Sequence, residues 1–191
     1  MNILKDGIDK KGNYDLLWKY VKNQKLRTVI DIGAWWGPWT LWWQTHVKKI
    51  EIFEPNTSIL PMLEHNVKEF KNCTVHKTAL GNTSGSVSMK YETHSGTNHI
   101  SSFDGDIKLK TLDSYSFTEI DIIKIDVEGF EVPVLEGAEE TILSQKPWIQ
   151  IESNSSGNRY KRHKIEINNF LKNIGMTLMD KKWPDQVWIF K

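Results

Sequence analysis

The chain has 191 residues, of which 39% are hydrophobic and 26% charged, and its formal net charge is +1. These are globular proportions, enough for one domain with a substantial core, and the near-neutral balance gives no electrostatic pull toward nucleic acid or an anionic membrane. The lone cysteine, Cys73, excludes an internal disulfide and a cysteine-rich metal site. With no bilayer-length apolar run and no signal-peptide pattern, a reducing cytoplasmic setting is expected.

Taken in chain order, residues 14–24 carry Leu17, Tyr20 and Val21 at helical spacing and predict a leading helix, part of a helical lead over residues 1–26. A short apolar run at 29–32 predicts a buried strand. It feeds the turn Gly33-Ala34-Trp35-Trp36-Gly37, after which Pro38 suits the first position of a helix over 38–47. On that helix Trp39, Trp42, Trp43 and His46 share one face, the pattern of core packing, whereas Trp35 and Trp36 lie in the loop, where one of them is placed to cover a cofactor or stack on a sugar. A strand at 50–54 follows, then a helix over 58–70 with Leu60, Leu63 and Val67 on one side, and a short strand and turn at 74–81. Strands at 86–91 and 107–110 bracket a polar stretch, 93–105, which predicts a long surface loop able to act as a substrate lid. The isoleucine-rich run 120–126 predicts a central strand, 132–143 a helix and 148–152 another strand. The basic run Lys161–Lys164 predicts a solvated helix face. The end of a last helix, 168–174, and a hairpin pairing 176–179 with 187–190 complete the reading. Strands alternating with helices predict an α/β domain with a parallel sheet covered on both faces, a single domain spanning 1–191.

The turn after the first strand has the form G-x-x-x-G. It lacks the G-x-G-x-x-G of dinucleotide enzymes, and no lysine follows it to meet a triphosphate. A glycine turn preceded by Asp31 suits a nucleoside-bearing ligand without a diphosphate, such as the amino-acid end of S-adenosylmethionine. Acids end the predicted strands: Asp31, Glu54, Asp126 and Glu152. Ligands of open parallel sheets bind beyond those strand ends, and Glu54 follows Asp31 at about the twenty-residue spacing of an acid that accepts ribose hydroxyls.

Several segments, in order, resemble the FkbM family of S-adenosylmethionine-dependent methyltransferases. They are V-I-D-I-G-A-x-x-G-x-x-T at 29–40, F-E-P-N at 53–56, A-L-G-N at 79–82, T-L-D-S at 111–114, I-K-I-D-V-E-G-F-E at 123–131, L-E-G-A at 135–138 and P-W-I-Q-I-E at 147–152. The resemblance implies a class I methyltransferase fold, a Rossmann-like three-layer sandwich with a seven-stranded, mostly parallel sheet whose last strand is antiparallel. It also implies O-methylation of a sugar, glycan or related small-molecule hydroxyl. By position it assigns Asp31, Gly33 and Ala34 to the methionine part of the cofactor, Glu54 to the ribose and Asn56 to the adenosine, with Trp35 and Pro55 also in the cofactor site. Thr78 and Ala79 fall to the adenine and Asp126 beside the reacting methyl. The family usually has Asn where this chain has Trp35.

Transfer of a methyl group from a sulfonium is an in-line displacement that needs alignment, exclusion of water and a destination for the hydroxyl proton. Asp126 is the expected base or orienter, with Lys124 as its catalytic partner and His99 as an alternative base. Inside an apolar strand Lys124 needs an anion, with Glu152 or Glu128 the expected one. Glu128, Glu152 and Ser102 are expected to contact the acceptor, and Glu131 to stabilise a helix N-terminus. Asp126, Glu152 and Asn154 offer oxygens of the kind Mg²⁺ takes, but no histidine joins them and no metal is expected. A nucleic-acid methyltransferase is the rival reading, set back by the neutral charge and by the lack of a basic stripe or an N-P-P-Y-like segment. A non-catalytic S-adenosylmethionine-binding module is another.

Overall fold

The structure, a computed structural model, describes residues 15–93, 95–153 and 164–191. The main sheet is built from β1 (Leu26–Ile32), β2 (Val47–Phe53) and β3 (Cys73–His76), with helices α1 (Asp15–Val21), α2 (Pro38–Trp43) and α3 (Leu60–Val67) before or between them. A small sheet follows, made of β4 (Ala79–Leu80), β5 (Gly85–Lys90) and β6 (His99–Lys110). The chain then returns to the main sheet through β7 (Ile120–Ile125), α4 (Glu131–Glu136), α5 (Glu139–Gln145) and β8 (Trp148–Glu152). It ends with α6 (Lys164–Asn173), β9 (Met176–Lys182) and β10 (Asp185–Phe190).

The seven strands are ordered β3-β2-β1-β7-β8-β10-β9. All neighbouring pairs from β3 to β8 are parallel, and β10 runs antiparallel to both β8 and β9. Strand order reverses between β1 and β7, which opens a crevice at their carboxyl ends. Period-two alternation sends each buried strand into two cores. Val29 packs with Trp39, Trp43, Leu63 and Leu17 under α1–α3, and Ile30 packs with Leu135, Ile142 and Leu171 under α4–α6. Sheet and helices therefore form three layers, the class I methyltransferase architecture. Among the described residues, no helix is long and apolar enough to cross a membrane.

The tryptophan face of α2 packs as expected, with Trp39 and Trp43 buried and Trp18 of α1 edge-on to Trp43 at 5.6 Å. The helix is shorter than predicted. It stops at Trp43 because the Asn72 side-chain amide donates to the carbonyls of Gln44 (2.9 Å) and Val47 (3.1 Å), supplying partners where the helical ladder ends. The helix expected over 132–143 is broken into α4 and α5 at Gly137, where a Cβ would lie 1.9 Å from the Gly81 carbonyl oxygen. Asp113 then receives the backbone N–H groups of Thr141 (2.8 Å) and Glu140 (3.2 Å) at the start of α5.

Most of the polar stretch 93–105 is strand, not loop. Among the described residues a 3-10 turn, Ser95–Thr97, precedes β6, which begins at His99 and pairs with β5 through two register shifts around Ser88. Ser101, Ser102, Phe103 and Asp104 are all exposed, so this part of the strand is held by backbone pairing and shows no hydrophobic alternation. His94, Asn154 and residues 161–163 lie outside the described residues.

Candidate active site

The crevice between β1 and β7 opens into a cavity of about 320 Å³, within the range of small-molecule sites. Its floor is the turn after β1. Gly33 has φ +77°, and a Cβ there would lie 1.8 Å from the Asp126 carbonyl oxygen, so only glycine lets the turn lie against the end of β7. Gly33 and Ala34 donate their N–H groups to the Phe53 carbonyl at 2.9 and 3.3 Å, and Asp126 donates its own to Ile32 at 3.0 Å. The turn is thereby fastened to the tips of both flanking strands.

Glu54, one residue past β2, is buried. Its two carboxylate oxygens receive the backbone N–H groups of Trp35 (2.7 Å) and Asn56 (2.8 Å), so one side chain joins the two loops. Burial pushes its pKa up to about 7, against the pull of those two N–H groups and of Lys124. Asn56 holds its own loop by accepting from the Ser58 N–H (3.0 Å) and hydroxyl (2.7 Å).

Lys124 lies on β7 directly beside Asp31 on β1, in register across the parallel pair. Its Nζ donates to the Gly33 carbonyl at 2.8 Å and sits 3.3 Å from Asp31 Oδ1 and 3.6 Å from Asp126 Oδ2. Asp31 is fully buried, and its other oxygen accepts from the Thr40 hydroxyl of α2 at 2.7 Å. Asp126 is the open member of this group, its side chain 42% exposed against 11% for Lys124.

Beyond Asp126 the cavity wall is acidic. Asp126, Glu128 and Glu152 bring carboxylate oxygens within 4.8 Å of one another. Burial, followed by repulsion from Asp126, Glu128, Glu131 and Asp185, holds the Glu152 carboxyl well above the usual carboxylate range. Among the described residues, its Oε2 is buried without a hydrogen-bond partner. Asp185 is raised to about 6 by burial and by Asp126. Glu131, buried at the start of α4, accepts from the N–H groups of Gly129 (3.0 Å) and Val127 (3.3 Å) and closes the turn that carries Glu128. Its pKa is pushed to about 7, chiefly by burial.

The family profile of the methyltransferase FkbM domain matches residues 31–177, which contain every residue lining this cavity except Pro184 and Asp185. The chain belongs to the FkbM methyltransferase family. Its fold is shared by a methyltransferase FkbM from Methylobacillus flagellatus KT at 15% identity, over 93% of this chain and 48% of that one, with a TM-score of 0.64. It is also shared by the N-methyltransferase NodS from Bradyrhizobium japonicum WM9 in complex with S-adenosyl-L-homocysteine, at 10% identity, 97% and 88% coverage and TM-score 0.56. An rRNA methylase from Streptococcus thermophilus shares it at 13% identity, 93% coverage of each chain and TM-score 0.52. The chain thus spans about half the length of the Methylobacillus protein. No curated protein matches it significantly in sequence.

Of the residues that the sequence singles out, the FkbM domain brings Gly33, Ala34, Trp35, Glu54, Pro55, Asn56, Thr78 and Ala79 to the cavity, together with Lys124, Asp126, Glu128, Glu152 and His99. Two are displaced from their expected places. Asp31 does not reach the cavity surface, because Thr40 and Lys124 bury it behind the glycine turn. Ser102 lies on the exposed part of β6, its hydroxyl donating to the Asp104 carbonyl at 3.0 Å, away from the cavity. Where Glu152 or Glu128 was expected beside Lys124, the structure sets Asp31 and Asp126 within ion-pair distance of it. Strand register makes Asp31 its lateral neighbour, and Asp126 follows two residues later on the same chain. Asp185 and Asn98 line the cavity and were not anticipated. Asp185 carries no local motif, and only the antiparallel return of β10 sets it opposite Glu152.

Proposed function

We propose that this domain methylates a hydroxyl group of a sugar, glycan or related small molecule. Family membership carries the reaction class, an S-adenosylmethionine-dependent methyltransferase. The observation that carries the placement is the glycine turn fastened between two strand tips, with the Glu54 carboxylate on the β2 side and the Asp126 carboxylate on the β7 side. The cofactor fits this donor set. Each Glu54 oxygen receives one N–H and keeps a lone pair for a ribose hydroxyl, and the missing Cβ at Gly33 keeps the turn against β7. Gly33, Ala34 and the Trp35 backbone would hold the methionine part, Glu54, Pro55 and Asn56 the ribose side, and Thr78 and Ala79 the adenine. When bound, the cofactor supplies an electrophilic methyl group on a sulfonium.

The chain's own residues then orient the acceptor and receive its proton. Asp126 is the exposed carboxylate beside a buried lysine, suited to hold the acceptor hydroxyl and take the proton as the oxygen attacks. Lys124 and Asp31 are positioning residues. Lys124 ties Asp126 to the Gly33 carbonyl, and Asp31, itself held by Thr40, anchors Lys124. His99, whose Nδ1 lies 3.1 Å from the Thr97 carbonyl, is a second proton acceptor in reach of the cavity. Glu128, Glu152 and Asp185 offer acceptors for further hydroxyls of the substrate. The exposed Asp126 carboxylate at this wall repels a phosphodiester backbone, which favours a neutral acceptor over nucleic acid. One domain over the whole chain, working in the cytoplasm, accords with this reading.

Calorimetry with S-adenosylhomocysteine, followed by mass spectrometry of sugar acceptors incubated with labelled cofactor, tests the proposal. Asp126→Asn should keep product affinity within about threefold and cut turnover by about a hundredfold. Unchanged turnover would remove Asp126 from the mechanism, and no uptake of S-adenosylhomocysteine by the wild-type protein would overturn the reading as a whole.

A further inference from the structure

Trp35 has a costly backbone for its side chain. Its φ is +53°, a left-handed conformation that glycine and asparagine adopt far more readily than a bulky aromatic residue. The backbone cannot turn over without releasing Glu54, which receives its N–H at 2.7 Å. The conformation aims the indole along the cavity wall, where it remains 38% exposed. It is tilted against Trp36 at a centroid distance of 5.5 Å, and a Cβ on Gly96 would lie 3.8 Å from its six-membered ring. The ring therefore leans toward the turn between β5 and β6. That segment holds none of the residues assigned above to the cofactor, but it places Asn98 and His99 in the same cavity.

A flat apolar face among amide, imidazole and carboxylate groups is complementary to a ring with C–H bonds on one face and hydroxyls at its edge. We infer that Trp35 is the specificity-determining platform of the acceptor site, its indole lying against the C–H face of a pyranose. This rests on the sugar-hydroxyl reading and adds the residue that selects the ring. The backbone of Trp35 serves the cofactor side through Glu54, and its side chain serves the acceptor.

The test uses the full chain loaded with S-adenosylhomocysteine and a panel of methyl pyranosides, read by saturation-transfer NMR. Parallel samples with S-adenosylmethionine are read for methylated product. Trp35→Ala should raise the KM of a methylated pyranoside about tenfold, while Trp35→Phe stays within about threefold of wild type. Affinity for S-adenosylhomocysteine should change less than threefold in both. Trp35→Gly controls for folding, since it removes the indole and relieves the left-handed backbone, so acceptor binding should weaken while the thermal midpoint does not fall. A tenfold loss of S-adenosylhomocysteine affinity in Trp35→Ala would make the ring a cofactor cover and overturn the inference. Equal pyranoside KM in wild type and Trp35→Ala would also overturn it and leave the sugar reading intact. Trp35-dependent pyranoside binding without methyl transfer would overturn the reaction reading and leave the platform standing. No pyranoside bound or methylated would overturn both.

Discussion

Glu131→Gln is a test of the electrostatics behind this site that requires no acceptor. Glu131 is almost wholly buried at the start of α4, and its carboxyl is raised from 4.5 to about 7, chiefly by burial and secondarily by Asp126. Because the folded pKa lies above the unfolded one, this group's contribution to stability is fully present below about 4.5 and is lost as pH rises through about 7. At 1.36 kcal/mol per unit, the ionised form costs the fold about 3 kcal/mol above pH 7, accrued at about 1.4 kcal/mol per pH unit. Glutamine keeps the carbonyl oxygen that accepts from Gly129 and Val127 but cannot ionise. Urea unfolding between pH 4.5 and 8 should show the wild type losing stability against Glu131→Gln at about that slope, with the variant ahead by about 3 kcal/mol at pH 8. Parallel pH profiles for the two proteins would refute the claim that this carboxyl is folded in its neutral form. Glu54 and Asp185, raised to about 7 and about 6, have the same sign, so wild-type stability without ligand should decline from pH 5 to pH 8.

Gly33→Ala should abolish detectable S-adenosylhomocysteine binding in calorimetry and lower the thermal midpoint. Its methyl group would collide with the Asp126 carbonyl at a left-handed φ, and binding within tenfold of wild type would contradict the tight turn. Lys124→Met should destabilise the protein by about 3–5 kcal/mol in urea unfolding, since it leaves the fully buried Asp31 beside an uncharged side chain. Adding Asp31→Asn should recover at least about half of that loss. A double variant no more stable than Lys124→Met would show that the lysine acts through something other than this pair.

How much of this was visible in the sequence depends on the range of the interactions involved. The β1 turn is local: an apolar strand, a glycine with no room for a side chain and a proline at the first helical position lie within a few residues, and the expected turn forms there. The central strands are as clear, because burial on both faces leaves runs such as Ile120–Ile125, where four of the six residues are isoleucine. The first part of β6, before the expected strand at 107–110, was hidden for the opposite reason. Between the buried Ile100 and Ile107 its exposed serines and aspartates print no period on the sequence, and the pairing there rests on backbone bonds and on Gly105 fitting against Ser88. The break between α4 and α5 comes from Gly81, far away in the chain, meeting Gly137.

The charge balance of the site is the least local feature of all. Lys124 pairs with Asp31 because β7 returns to lie beside β1 rather than beside β3, an outcome of strand order that no spacing encodes. Glu152 is held neutral partly because β10 comes back antiparallel and sets Asp185 opposite it. Had β10 run parallel to β8, the pairing that places these two acids together would not exist, and the wall beyond Asp126 would carry one acid fewer. The family motif thus places Asp126 at the end of β7, while the topology of the returning strands determines its electrostatic surroundings.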